Sequence, residues 1–241
     1  LYTAPMTLAQ LLVVQDHDSA IDRLTHSLTI LPEFSVLTML DDEQSYLETE
    51  RAGVAEQRHE IEREEKRFED EAAIVTSRIN KENLRLYDGS VTAHKELQTI
   101  QDELVTLNRR RAEIEDHVLE AMEHGEPLDT SLGALDDNLI SVEQRREQAT
   151  ESLEASQTAI RGEAESQHAQ RSEAMAKVDP ELVSIYEQSR SDCGGVGICR
   201  LIDKTCQGCH LTLPSVEYDR VRKESEGTIV RCGECNRILV R

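Results

Sequence analysis

The chain has 241 residues, of which 38% are hydrophobic and 31% charged, with two phenylalanines, five tyrosines and no tryptophan. Twenty-seven basic residues face 48 acidic ones, a formal net charge of -21. Too few large apolar side chains are present for one compact core of this length, which argues against an ordinary globular enzyme, and the acidic surplus repels nucleic acid and anionic membranes at long range.

In chain order, the first segment carries an apolar side made of Leu8, Leu11, Leu12, Ile21, Leu24, Leu28 and Leu31. It is expected to pack on the end of a returning helical arm near residues 145–175. From Leu40 onward the apolar positions repeat every seven residues, through Leu47, Val54, Ile61, Phe68 and Val75, with Ala72, Ile79 and Leu86 at the second seam position. Gln44, Arg51, Arg58 and Glu65 fill that second position on the earlier turns. A further run, Leu97, Ile100, Leu104, Leu107, Ile114 and Val118, is interrupted by Arg111. The last, from Leu128 through Leu132, Leu135, Leu139, Val142, Ala149 and Leu153 to Ile160, is interrupted by Arg146 and Ser156. A 3.5-residue repeat with Glu-rich flanks predicts helices paired along a left-handed seam.

Tyr87-Asp88-Gly89-Ser90 places a turn near 87–92, half-way through the first 180 residues, and Thr92 can cap the helix that follows. Equal arms predict an antiparallel hairpin rather than a parallel dimer. Pro32 and Gly125-Glu126-Pro127 are expected to introduce kinks or short loops, since proline costs about 3 kcal/mol in a helix interior. Such a hairpin reads either as a spacer or as a rod that binds a partner. Its scattered carboxylates, and Arg109-Arg110-Arg111, read as solvated faces.

After Asp179-Pro180, Glu181 to Arg190 reads as a short helix. Val196 to Ile202, Leu211 to Leu213, Thr228 to Val230 and Arg237 to Val240 read as strands, Val216 to Lys223 as a helical turn or loop, and Glu226-Gly227 as a turn. Cys206-Gln207-Gly208-Cys209 and Cys232-Gly233-Glu234-Cys235 are two Cys-x-x-Cys pairs separated by 22 residues. One turn presents two sulfurs to one ion, and four thiolates complete a tetrahedron, the arrangement of structural zinc. Cys206, Cys209, Cys232 and Cys235 are therefore the expected ligands of one Zn(2+), with an iron centre or a redox disulfide as chemical alternatives. Gly208 and Gly233 are expected to allow the tight backbone path, and Asn236 to tolerate a left-handed conformation. Cys193 and Cys199 are expected to be free thiols, and His210 a surface or near-metal residue outside the ligand set. A filled four-thiolate site leaves no open position for a substrate, no nucleotide-binding loop or His-Glu-x-x-His motif is present, and no catalytic residue is assigned.

The excess negative charge lies in residues 1–180, with 18 basic and 39 acidic residues, whereas residues 181–241 hold nine of each. No apolar stretch approaches the roughly 20 residues that span a bilayer, Leu1 to Gln10 has no signal-peptide pattern, and clustered thiols suit a reducing compartment. A cytoplasmic protein without membrane contact is expected.

Gly195-Val196-Gly197, Cys206-Gln207-Gly208-Cys209-His210, Leu213-Pro214 and Cys232 to Val240 resemble the bacterial four-cysteine zinc ribbon proteins with an N-terminal coiled-coil hairpin. Val91 to Leu107, with Lys95-Glu96-Leu97-Gln98, is similar to the stretch after that family's hairpin turn. Asn236 stands where the family usually has glycine. The resemblance implies a zinc ribbon, with nucleic-acid binding as one function. In relatives that look like adaptors or chaperones of flagellar or secretion systems, it implies engagement of protein partners, including a sigma factor.

The expected fold is mostly α: a long antiparallel coiled-coil hairpin over residues 1–180, then a linker helix and a small β zinc ribbon over 181–241. The expected function is a non-enzymatic adaptor that binds other proteins. The alternative is a nucleic-acid-binding regulator that uses Arg220, Arg222, Lys223, Arg231 and Arg237 of the ribbon.

Overall fold

The computed structural model describes residues 8–225 and 228–241, so the turn expected at Glu226-Gly227 lies outside the described residues. Helices α1 (Leu8–Thr29), α2 (Pro32–Tyr87), α3 (His94–Met175) and α4 (Pro180–Asp192) precede strands β1 (Ile198–Ile202) and β2 (Thr205–Cys206), helix α5 (Ser215–Lys223), and strands β3 (Val230–Arg231) and β4 (Ile238–Val240). The protein is mostly helical, a long helical hairpin with a small C-terminal strand region. It divides into two compact units, Val36–Gln148 on its own and Leu1–Ser35 with Ala149–Arg241.

In Val36–Gln148 the heptad positions of α2 and α3 face each other. Leu40, Ile79, Ile100, Leu104, Ile114, Ala121 and Val142 are buried, and Leu47, Val54, Ile61, Phe68 and Val75 are half-buried. Two of the polar seam positions, Arg51 and Arg58, find charged partners on the opposite helix. Arg51 Nε lies 2.5 Å from Asp136 Oδ1, and Arg58 Nε lies 2.9 Å from Asp129 Oδ1. Arg58 also reaches Glu65 at 3.3 Å. Polar groups in a seam lower stability and admit one register.

The two proline breaks have different outcomes. Pro32 starts α2 at the helix position where its missing N–H is harmless. Pro127 lies inside α3, which continues through it, so of the kink or loop expected from Gly125-Glu126-Pro127 the loop does not form. Ala121, Gly125, Leu128 and Leu132 keep an uninterrupted three-and-four spacing of covered positions across the proline, and seam packing on both sides offsets the lost bond. Gly125 is part of that packing, because a Cβ there would lie 3.2 Å from Glu65 Oε1 and 3.3 Å from Arg58 Cζ. The glycine makes room for a charged pair.

The turn between the long helices is built by Asp88, whose side chain accepts a hydrogen bond from Ser90 N at 2.8 Å, and by Gly89 at φ 74°. Only a residue that tolerates the left-handed region fits the second site.

In the other unit, α1 packs on the end of α3, as the sequence suggests, but also on α4 and the ribbon. Leu8, Leu11, Leu12 and Val14 share a core with Ala174, Val178, Tyr186, Ile198 and Ile238. At its edge Asp18 is only 3% exposed. Its carboxylate accepts from Tyr186 Oη at 2.6 Å and Arg171 Nε at 2.6 Å, and Arg190 lies 3.6 Å away. Burial opposes charge on Arg171, and the hydrogen bonds to Asp18 and Glu187 outweigh it and hold its pKa above the usual value. Gln15 Oε1 accepts from Gly197 N at 2.8 Å and lies 3.2 Å from Tyr186 Oη, whose one proton goes to Asp18, which links this network to the residue before β1.

A buried carboxylate that loses its cation is strongly destabilising. Arg171→Met is expected to lower stability by about 3–5 kcal/mol in denaturant unfolding. Adding Asp18→Asn to that variant should recover part of the loss, because only Arg190, 3.6 Å away, is left to compensate the buried charge.

Candidate metal centre

The ribbon's four strands form one sheet in the order β2-β1-β4-β3. β1 and β4 are parallel, with Ile198 opposite Ile238, while β2 and β3 flank them antiparallel. Asp203 and Lys204 join β1 to β2 with φ of 47° and 69°, the two left-handed residues of a tight hairpin turn whose twist matches the strands. Leu211 and Leu213 do not form the expected strand. Between them only Thr212 bridges to Thr205, and Leu213 is buried in the ribbon core.

Each Cys-x-x-Cys pair sits in the same backbone device. In the first, Cys206 N donates to Leu211 O at 3.0 Å and His210 N donates to Cys206 O at 2.7 Å. In the second, Cys232 N donates to Arg237 O and Asn236 N donates to Cys232 O, both at 2.9 Å. The chain closes each loop with a residue in the left-handed region, His210 at φ 61° and Asn236 at φ 60°. Asparagine suits that conformation; histidine is a less usual occupant. Gly208 and Gly233 have no such φ, and their role is to leave space. A Cβ on Gly208 would meet Arg237 Cδ at 2.6 Å, and one on Gly233 would meet Glu217 Oε1 at 2.8 Å.

The two devices bring the sulfurs of Cys206, Cys209, Cys232 and Cys235 within 4.8 Å of one another. Cys206 and Cys232 are buried, and Cys209 and Cys235 half-buried. Burial opposes ionisation of Cys235, but the Arg237 backbone N–H and neighbouring thiol and guanidinium groups outweigh it and bring the thiol down to about 7. Burial pushes the Cys232 thiol up. Four thiols converging on one point, with no carboxylate or imidazole among them, fit a closed four-sulfur metal site.

Cys199, on β1, is buried with its Sγ 3.4 Å from Cys206 Sγ, and burial and that neighbour push its thiol pKa up. Cys193 donates instead to the Cys235 carbonyl at 3.5 Å. Both are free thiols. His210 is exposed, and its backbone rather than its ring serves the site.

The five cations considered for nucleic acid do not come together. Arg237 donates through Nε to Val196 O, through Nη1 to Gly208 O and through Nη2 to Cys193 O, at 2.9 to 3.0 Å. It braces the backbone around the thiols. Arg231 donates to Ser189 Oγ and Asn236 O. Arg220, Arg222 and Lys223 remain exposed on the last turn of α5. A contact absent from the sequence reading is Arg241, whose guanidinium accompanies that helix end by donating to the carbonyls of Val221 and Glu224 at 2.8 Å.

A helical hairpin joined to a ribbon with four convergent thiols defines a class of coiled-coil proteins that carry a small C4 module. Residues 14–194 match the CT398-like coiled coil hairpin domain, and residues 205–239 match the C4-type zinc ribbon domain. The chain belongs to the CT398-like coiled coil hairpin family. Two uncharacterized proteins of Mycobacterium tuberculosis strains are each 30% identical over 232 residues, which cover 93% of this chain and 91% of theirs. Among solved structures, a Mycobacterium smegmatis protein superposes with a TM-score of 0.83 at 24% identity, covering 97% of each chain. CT398 from Chlamydia trachomatis superposes at 0.61 with 22% identity and 96% coverage of each. At these identities the structural matches speak for the fold.

The left-handed site at residue 210 gives a direct check. His210→Val is expected to destabilise the ribbon by about 1–2 kcal/mol, because a β-branched side chain strains there, whereas His210→Gly should not destabilise it. The midpoint of thermal or denaturant unfolding, read on ribbon amides by NMR, measures both.

Proposed function

We propose that this chain is a non-enzymatic adaptor that binds other proteins, with one structural zinc ion held by Cys206, Cys209, Cys232 and Cys235. The observation that carries the reading is on α2. Met39, Tyr46, Ile74, Leu84 and Tyr87 are all more than 60% exposed on a helix otherwise dominated by charge. Met39 and Tyr46 lie one heptad apart and Leu84 and Tyr87 three residues apart, so these side chains group on the helix surface, and grouped exposed apolar side chains mark interaction surfaces. The thiol cluster supports the non-catalytic part, since four sulfurs close a zinc ion's coordination and leave no position for a substrate. When bound, zinc supplies folding energy to a module of two- to five-residue strands. Six cysteines with no disulfide among the described residues suit a reducing, cytoplasmic setting. Among the described residues no helix is long and apolar enough to cross a membrane.

A second reading, nucleic-acid binding through the ribbon, rests on Arg220, Arg222 and Lys223 alone, with Arg222 and Lys204 over the Tyr218 ring at 5.8 and 5.4 Å. One experiment separates the two. The zinc-loaded full chain is used to capture partners from a cell extract, with parallel nuclease-treated and high-salt arms. A stoichiometric protein that survives both arms is the expected result. Nucleic acid that is lost in moderate salt, and lost again with Arg222→Ala and Lys223→Ala, would replace the adaptor reading with the second one.

A further inference from the structure

We propose that one flank of α3, formed by Val105, Leu119, Met122 and Ile140, is a docking seam for a single amphipathic helix with basic flanks, supplied by a partner protein; the inference deepens the adaptor reading and rests on it. These four side chains are 71%, 58%, 52% and 57% exposed. Their spacing is not random. Leu119 follows Val105 by two heptads and Ile140 follows Leu119 by three. Each comes directly after a residue of the seam that faces α2, namely Leu104, Val118, Ala121 and Leu139, all buried or half-buried. The apolar surface of α3 is thus two positions wide along these turns, and α2 covers only one of them.

Between the helices this flank opens a hollow of about 400 Å³, lined by Glu69 and Ala72 of α2 and by Glu115, Val118 and Leu119 of α3. The floor is apolar and the rim carboxylate. Charge selects the occupant. Residues 36–148 hold 29 acidic and 14 basic side chains, so negative charge is in clear excess there. A second copy of this chain would bring the same charge, and nucleic acid would add to it. A helix with lysine or arginine beside its apolar stripe complements the flank in both respects.

Positions 112, 126 and 133, which complete the heptad series, are Ala112, Glu126 and Gly133, all exposed. Two small residues permit close approach. Glu126 interrupts the stripe and would fix the register through a cation on the incoming helix, as polar seam residues do. Val105 to Ile140 corresponds to an occupant of about 35 residues, roughly 50 Å of helix.

The test uses the zinc-loaded full chain and a synthetic 35-residue helical peptide that has leucine at heptad seam positions and lysine on its flanks, with a glutamate-flanked version beside it. Fluorescence anisotropy at physiological salt should show binding of the lysine peptide only. Leu119→Glu with Met122→Glu should weaken it about tenfold or more, although both changes add attractive negative charge. Val216→Glu, which alters an 84% exposed apolar residue of α5 outside both long helices, should leave it within about threefold, and helical circular dichroism should match the parent in both variants. Unchanged or tighter binding by the first variant, or equal weakening by the second, overturns the seam. Capture of partners from extract separates the two levels. A protein partner retained by the Leu119→Glu, Met122→Glu variant overturns the seam and leaves the adaptor reading standing, whereas absence of any protein partner for the parent chain overturns both.

Discussion

Four cysteine sulfurs drawn within 4.8 Å of one another are the constraint on which the C-terminal module depends. Two of its strands have two residues and one has three, too little sheet to hold itself together in water. Everything near the sulfurs serves to present them: the paired backbone loops closed at His210 and Asn236, the glycines that leave no room for a side chain, and Arg237, with each of its guanidinium nitrogens on a carbonyl. In the proposed reading a zinc ion supplies what the sheet lacks. The thiols that stand outside the ligand set, Cys193 and Cys199, pack against it without completing it.

The module is also held from outside. Asp18, Tyr186, Arg171 and Arg190 form a charged network at the edge of the core shared by α1, α3, α4 and the strands. Gln15 passes that order on to Gly197, whose carbonyl accepts from Ser189 Oγ and from Ile238 N at 2.8 Å. The start of β1 and its pairing with β4 are therefore fixed by a helix about 180 residues earlier in the chain. Burial of a carboxylate is costly, and the return is a single geometry: only one docking of α1 gives Asp18 its donors. Apolar packing alone, which is non-directional, would tolerate several.

Much of this was legible in the sequence, and the reasons differ by region. The heptad series from Leu40 to Val75 names the covered face of α2 correctly because helix pairing has one strict period. The four cysteines were found by spacing, since two thiols on one turn can serve one ion. Gly125-Glu126-Pro127 suggests a loop only when local propensity is weighed without the seam on either side, which carries the helix through the proline. Asp18 falls among the scattered carboxylates read as solvated faces, and Gln15 is not singled out in the sequence. Their offsets of three and four from Leu11, Val14 and Ile21 put them on the buried side of α1, and that spacing was the available signal. Arg231 and Arg237 look like a cationic patch in sequence, but they are occupied by backbone carbonyls and, for Arg231, also by the Ser189 hydroxyl, partners to which no side-chain pattern points.

The most direct test of the account is backbone hydrogen exchange on the full chain before and after the metal is removed with a chelator. If the thiol cluster folds the ribbon, removal should erase protection at the amides of Cys206, His210, Cys232 and Asn236 while the seam amides of residues 36–148 stay protected. Persistence of protection at those four amides without metal would contradict it: the ribbon would then be held by its own sheet and by the helices behind it, and the four sulfurs would have lost their structural purpose.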